Sequence, residues 1–177
     1  MRDAVSTAET TAEAFEAFVA ARQHALWRSA WLLTGDAALA EDLVQTALIR
    51  SWPHWAKLVA DGGEEAYVRR VLFTTHASWW RRRWRAEVVT DDLPEPGPTG
   101  ATADPDVRET VRRALLGLPP RQRAAVVLRY FDDLTETQTA DVLHCSVGTV
   151  KSQTSRALSR LRAHPGLSEL LVEGTRR

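Results

Sequence analysis

The chain has 177 residues, with 23 basic and 23 acidic side chains, seven tryptophans and a single cysteine. That length admits one domain or two small ones, one cysteine excludes an internal disulfide framework, and no run of about 18 apolar residues is present to span a membrane. With no secretory signal pattern either, the expected location is the cytoplasm. The net charge of zero hides a strong segregation. Residues 1–66 hold five bases and ten acids, 67–85 six arginines and no acid, and 86–106 six acids and no base. Residues 107–129 hold six arginines against Glu109, and 151–162 hold four bases and no acid. Basic blocks separated by acidic ones suggest a polyanion touched at several separate places.

In chain order, Phe15, Phe18, Val19, Leu26, Ala30 and Leu33 lie at helical spacing over 11–33, and Thr34-Gly35 ends that helix. Asp36 is an N-cap for a second helix running to about Trp52, where Pro53 stops or kinks it. Residues 56–63, AKLVADGG, are expected to form a loop with an acidic, glycine-rich tip. A third helix, 64–85, opens on Glu64-Glu65 and closes on arginines, each suited to its end of the helix dipole. Within it Val68, Leu72, Thr75 and Trp79 share a stripe fit for a core. Trp80 and Trp84 share another with Arg69, Phe73, His76 and Arg83, mixing aromatics with cations as single-strand binders do. The competing placement for Trp80 and Trp84 is against the first helix, through Trp27 and Trp31.

Residues 86–106 contain four prolines, two glycines and six acids, too little apolar surface to fold alone. A flexible acidic linker over 86–104 follows, because Asp104 and Pro105 look like the N-cap and first residue of a helix over 105–117. Pro119-Pro120 starts another helix, to about Phe131. Leu134 to Arg162 then holds two short helices, TETQTADVL and VGTVKSQTSRALSRLR, with Cys145-Ser146 between them and Ser146 as N-cap. Val142, Val147, Val150, Leu158 and Leu161 give each an apolar stripe, while Lys151, Ser152, Gln153, Ser155 and Arg156 occupy the opposite face of the second. Small polar and cationic groups on the front of a second helix suit major-groove reading by a helix-turn-helix. Strand signals are nearly absent, so the expected fold is all-α: modules over 11–85 and 105–164 joined by the linker.

These segments carry a family resemblance. The chain resembles the extracytoplasmic-function (ECF) sigma factors of RNA polymerase, which keep only sigma domains two and four, and its LWRSAWLLTGD run resembles a short actinobacterial subgroup of them. GDAALAEDLVQTALIRSW is similar to the family helix that docks on the clamp helices of the polymerase largest subunit. YVRRVLFTTHASWWRRRWR resembles the helix at the −10 promoter element, and LPPRQRAAVVLRYFDDLTETQTADVLHCSVGTVKSQTSRALSRLR resembles domain four, the −35 reader.

The resemblance implies roles for particular residues. Asp42, Gln45 and Ile49 would meet polymerase. Trp80, Arg81, Arg82, Arg83, Trp84 and Arg85 would meet −10 DNA, the arginines holding phosphates. Lys151, Ser152, Gln153, Ser155 and Arg156 would face the −35 groove, with Arg156 able to take guanine by a bidentate pair. The loop from Lys57 to Glu65 matches the family loop that captures an unstacked −10 base. The acidic linker matches the segment threading the polymerase cleft, with a plain tether as the alternative. Two departures stand out: Thr74 where an asparagine is common, and His144 where a glycine commonly precedes Cys-Ser in the turn.

The implied partners are core RNA polymerase, promoter DNA and an anti-sigma protein. No catalytic residue, cofactor, metal or small-molecule substrate is expected, since the five histidines form no ligand spacing and no phosphate loop or nucleophile motif is present. A plain helix-turn-helix regulator explains residues 134–162 but neither AEDLVQ nor the tryptophan-arginine helix.

Overall fold

The computed structural model describes residues 2–86 and 105–167, with side chains over 10–82 and 106–167. The linker (87–104), its acids Asp91, Asp92 and Glu95, the expected N-cap Asp104 and the tail beyond Leu167 lie outside the described residues, as do the side chains of Arg83, Trp84 and Arg85. Among the described residues every regular element is helical.

The first module is built from α1 (Arg2–Thr34), α2 (Ala37–Ser51), a 3₁₀ turn (Trp52–His54), α3 (Trp55–Asp61) and α4 (Glu64–Ala86). α1 begins well before residue 11 and ends as expected, at Gly35 with φ +73°. Asp36 then caps α2, its carboxylate accepting from Leu39 N at 2.8 Å. Pro53 sits in the 3₁₀ turn, where its missing N–H does no harm. The expected loop over 56–63 is corrected: Trp55–Asp61 is a helix, and only Gly62, left-handed at φ +65°, and Gly63 turn the chain. The cause is tertiary. Trp55 is 1% exposed and takes edge contacts from Phe15 and Phe18 of α1, with ring centroids 4.8 and 5.0 Å away. Leu26, Ala30 and Leu33 of α1, Leu43 and Ala47 of α2, and Val68 and Leu72 of α4 complete the core.

The second module comprises α5 (Pro105–Leu116), α6 (Pro120–Val126), a π turn (Val127–Phe131), α7 (Glu136–Leu143) and α8 (Val147–Arg162). The single helix expected from Pro119 to Phe131 is therefore wound more loosely in its second half. Leu115, Leu118, Ala125, Val127, Leu128, Val142 and Val150 are buried in it.

The modules do not hang apart on a tether. One apolar cluster runs through both, and arginines bridge them. Arg123 donates to the carbonyls of Leu33 and Leu116, and Arg112 donates to the Gly35 carbonyl at 3.0 Å. Arg28 donates to the Phe131 carbonyl at 3.0 Å, and Arg69 pairs with Asp132 at 2.7 Å. The basic blocks, read as several separate contacts to a polyanion, also hold arginines that serve the fold: Arg69, Arg112 and Arg123 are buried, and their guanidinium groups are engaged by carbonyls and carboxylates of the fold. A guanidinium forks to several oxygens at once, which suits it to capping helix ends inside a protein as well as to holding phosphates.

Candidate nucleic-acid interface

The helix-turn-helix is fixed by its caps. Thr135 and Gln138 form a reciprocal pair: Thr135 Oγ1 accepts from Gln138 N at 3.2 Å, and Gln138 Oε1 accepts from Thr135 N at 2.8 Å. α7 stops at His144, which is left-handed (φ 49°, ψ 53°) as the expected glycine position requires. Cys145 N donates back to the Ala140 carbonyl at 3.1 Å, and Ser146 caps α8 by accepting from Thr149 N at 3.1 Å. α8 buries Val150 and Ala157, while Val147, Leu158 and Leu161 are half-buried along its edges.

On the opposite side Lys151, Ser152, Ser155 and Arg156 are exposed together, with Arg160 and Arg162 a turn or more beyond. Gln153 differs, being half-buried on the flank. Lys151 lies 3.6 Å from Glu136 across exposed surface, a weak pair that a phosphate can displace. The Ser152 hydroxyl donates to the Thr149 carbonyl at 2.9 Å, so it offers lone pairs outward. Cys145 is half-buried, and burial pushes its thiol pKa up, the opposite of a reactive thiolate. Among the described residues no group of His, Cys, Asp or Glu is arranged to hold a metal ion.

α4 presents a second basic surface. Val68, Leu72 and Thr75 are buried and Trp79 is half-buried beside them. The other stripe faces the second module rather than open solvent. Arg69, Phe73 and His76 are buried, and half-buried Trp80 lies under Arg123, 5.7 Å from guanidinium carbon to ring centroid. Trp80 thus packs toward α6 instead of toward Trp27 and Trp31, which stack on each other at 6.4 Å. Arg81 and Arg82 are exposed at the same end.

Electrostatics here follow from burial. His76 has its pKa lowered to about 4, first by burial and then by the Arg123 cation, against an opposing hydrogen bond to the Leu33 carbonyl. Burial lowers Arg123 itself to about 10. Burial also works against the Arg69 charge, but the Asp132 and Glu65 carboxylates outweigh it and the pKa is raised.

On α2, Asp42, Gln45 and Ile49 are all exposed, Ile49 to 71%, while Leu43 and Ala47 turn inward. Trp52, in the next turn and three residues past Ile49, continues the row at 45% exposure. The spacing 42, 45, 49, 52 is helical and places Trp52 on the same face as the three residues expected there. The expected base-capturing loop is reduced to Gly62 and Gly63. Thr74 is exposed, with its hydroxyl donated to the Arg70 carbonyl at 2.8 Å.

The model of the family "Sigma-70, region 4" matches residues 108–161, the span from α5 to the end of α8. The chain is 43% identical over 148 residues to the RNA polymerase sigma-E factor of Streptomyces coelicolor, covering 84% of each chain. It is 33% identical over 145 residues to ECF RNA polymerase sigma factor SigL of Mycobacterium tuberculosis, covering 77% of this chain and 80% of that one. The chain belongs to the ECF sigma factors. Among solved structures it is similar to the sigma factor RpoE of Bartonella quintana, crystallised with the anti-sigma factor NepR, at 25% identity and a TM-score of 0.72, covering 85% of this chain and 96% of that one. The fold is also that of CnrH, solved with the cytosolic domain of CnrY, at 22% identity and a TM-score of 0.64, covering 90% of this chain and 94% of that one. As an ECF sigma factor the chain is an alternative specificity subunit for promoter-directed transcription. Among the described residues no helix is long and apolar enough to cross a membrane.

Proposed function

We propose that this sigma factor divides its work between the modules residue by residue and performs no chemistry of its own. Residues 11–85 act as domain two and 105–164 as domain four, with the segment 86–104 connecting them. The α2 row Asp42, Gln45 and Ile49, extended by Trp52, docks on core polymerase at the clamp helices. An apolar anchor ringed by a few hydrogen-bonding groups is the composition of a specific interface. α8 enters the −35 major groove with Lys151, Ser152, Ser155 and Arg156 foremost and Gln153 at its flank. The end of α4, Trp80 through Arg85, engages the −10 region, its arginines on phosphate and its tryptophans on separated bases.

The observation that carries the reading is the exposed row on α8, four polar or cationic side chains on a helix whose other face is buried by Val150 and Ala157. An anti-sigma protein is a candidate partner, since the similar sigma factor of Bartonella quintana was solved with one.

Run-off transcription with purified core polymerase on a library of randomised promoter fragments tests the division. Ile49→Asp should weaken binding to core at least tenfold while leaving the melting temperature within a degree or two, because this side chain is 71% exposed. Unchanged core affinity in Ile49→Asp would remove α2 from the polymerase interface.

A further inference from the structure

We propose that a cavity bordered by the end of α1, the first turns of α2, the last turns of α4 and Arg123 of α6 binds a free guanine nucleotide. Bound there, the nucleotide competes with core polymerase. The competition rests on the sigma-factor reading above, and the binding does not.

The cavity has a volume of about 460 Å³, within the range of about 300–1,000 Å³ usual for small-molecule sites. Leu33, Leu39, Trp79 and Trp80 make its walls largely apolar. Both indoles are half-buried and come from successive residues of α4, so a planar ring entering the cavity meets aromatic surface.

What distinguishes this cavity is a buried cation without a counter-ion. Arg123 lines it and is 2% exposed. Its Nη atoms donate to the carbonyls of Leu33, Leu116 and Leu118, all neutral, and its Nε has no hydrogen-bond partner. The other buried arginines are compensated, Arg69 by Asp132 at 2.7 Å and Arg112 by Glu109 at 2.7 Å. Among the described residues no carboxylate pairs with Arg123, and burial lowers its pKa to about 10. A charge taken out of water is costly until an opposite charge meets it. The Trp80 ring, 5.7 Å away, offsets only part of that cost. An anion in the cavity supplies both the missing charge and an acceptor for Nε. Arg82, exposed at the rim, adds a second guanidinium, and two such groups around one cavity suit a phosphate.

The remaining polar groups of the lining accept. Neutral His76 spends its N–H on the Leu33 carbonyl and keeps its other ring nitrogen as an acceptor. The Thr34 hydroxyl donates to the Ala30 carbonyl at 2.9 Å, which leaves its lone pairs. Asp42 brings a carboxylate to the rim from α2. Guanine carries N1–H and N2–H₂ side by side, and a carboxylate takes the two together as it takes a guanidinium fork. Adenine offers only its N6–H₂ group. Aromatic walls for a ring, acceptors for its donor edge and cations for phosphate match the three parts of a guanine nucleotide. Asp42 also belongs to the α2 row assigned to core polymerase, and a ligand bound against it denies that side chain to the polymerase.

Isothermal titration calorimetry of the full chain with GDP tests the site, with ADP, guanosine and pyrophosphate for comparison. GDP should bind and raise the melting temperature. ADP, guanosine and pyrophosphate should each bind about tenfold more weakly or worse, since each lacks one of the three matched parts. Arg82→Ala should weaken GDP about tenfold, and Asp42→Asn should bring GDP and ADP to equal affinity. Both side chains are exposed, so both variants should melt with the parent. No binding of GDP at millimolar concentration would overturn the site. Pyrophosphate bound as tightly as GDP would overturn the nucleotide, and ADP bound as tightly would overturn the guanine. GDP at about ten times its Kd should weaken binding of the labelled chain to purified core polymerase about tenfold, the factor expected of competing ligands. That effect should vanish in Arg82→Ala, which leaves the α2 row intact. Core affinity unchanged by GDP that binds the free chain would overturn the competition. Failure of the parent to support run-off transcription would instead overturn the sigma-factor reading, while calorimetry on the free chain still judges the site.

Discussion

His76 makes the stability of the packed state depend on pH with a definite sign. The imidazole is buried between the end of α1 and Arg123, and its pKa is lowered from 6.5 to about 4 by burial, then by the Arg123 cation. A histidine so depressed stays neutral in the folded chain while the unfolded chain takes up a proton below pH 6.5. Its stabilising contribution is thus full above 6.5, declines as pH falls from 6.5 to about 4, and changes no further below that. At about pH 5 the loss is 1.5 units at 1.36 kcal/mol per unit, or about 2 kcal/mol. His76→Gln keeps an N–H for the Leu33 carbonyl and cannot titrate. Urea unfolding followed by tryptophan fluorescence, at about pH 7.5 and about pH 5, should show the parent losing about 2 kcal/mol more than the variant between the two. Carboxylates titrate in both chains and cancel in the difference. Equal losses in parent and variant would refute the argument, because they would mean that the imidazole already takes its proton in the folded protein.

Two further outcomes follow from the helix-turn-helix. His144→Gly should stabilise the chain by about 0.5–1 kcal/mol in the same unfolding assay: it relieves a left-handed residue that costs about 1–2 kcal/mol, less the extra entropy glycine loses, and His144 is exposed. A variant less stable than the parent would mean that the imidazole makes a contact of its own. Arg156→Ala should lose about 1–3 kcal/mol of discrimination at one −35 base pair, and Lys151→Ala should lower the salt slope of DNA binding by about one without altering base preference. Competition binding over a set of single-base −35 variants at several salt concentrations separates the two, and identical profiles for both variants would refute the assignment.

Much of the local structure was legible because it is encoded locally. Gly35, Asp36 and Ser146 each stop or start a helix through a bond to a backbone group within four residues, and a short window of sequence is enough to see it. His144 in the left-handed region belongs to the same class. The misses share the opposite property. Residues 56–63 read as a loop because Gly62-Gly63 dominates the composition, whereas the helix over Trp55–Asp61 is held by Trp55 meeting Phe15 and Phe18 some forty residues earlier. Arg69, Arg112 and Arg123 have the same sequence signature as Arg81 and Arg82. Which arginine meets a carbonyl and which meets solvent is decided by how two modules dock, and no periodicity records that. The candidate site divides along the same line: the exposed row on α8 followed from spacing, but the engagement of Trp80 by Arg123 did not.

The polar part of the docking of α5 and α6 on the end of α1 is made to main-chain oxygens, those of Leu33 and Gly35. Every polypeptide supplies such oxygens wherever a helix stops, so this part of the contact asks for a helix end and a glycine and is indifferent to the neighbouring side chains. A second module transplanted from another factor should find its seat here as long as it brings arginines equivalent to Arg112 and Arg123. Asp132 is different, because its carboxylate accepts from the Ser29 hydroxyl and pairs with Arg69, and so needs both by identity. In a chimaera, the carbonyl contacts would therefore carry over and the carboxylate would discriminate, which makes residues 29, 69 and 132 the set to move together.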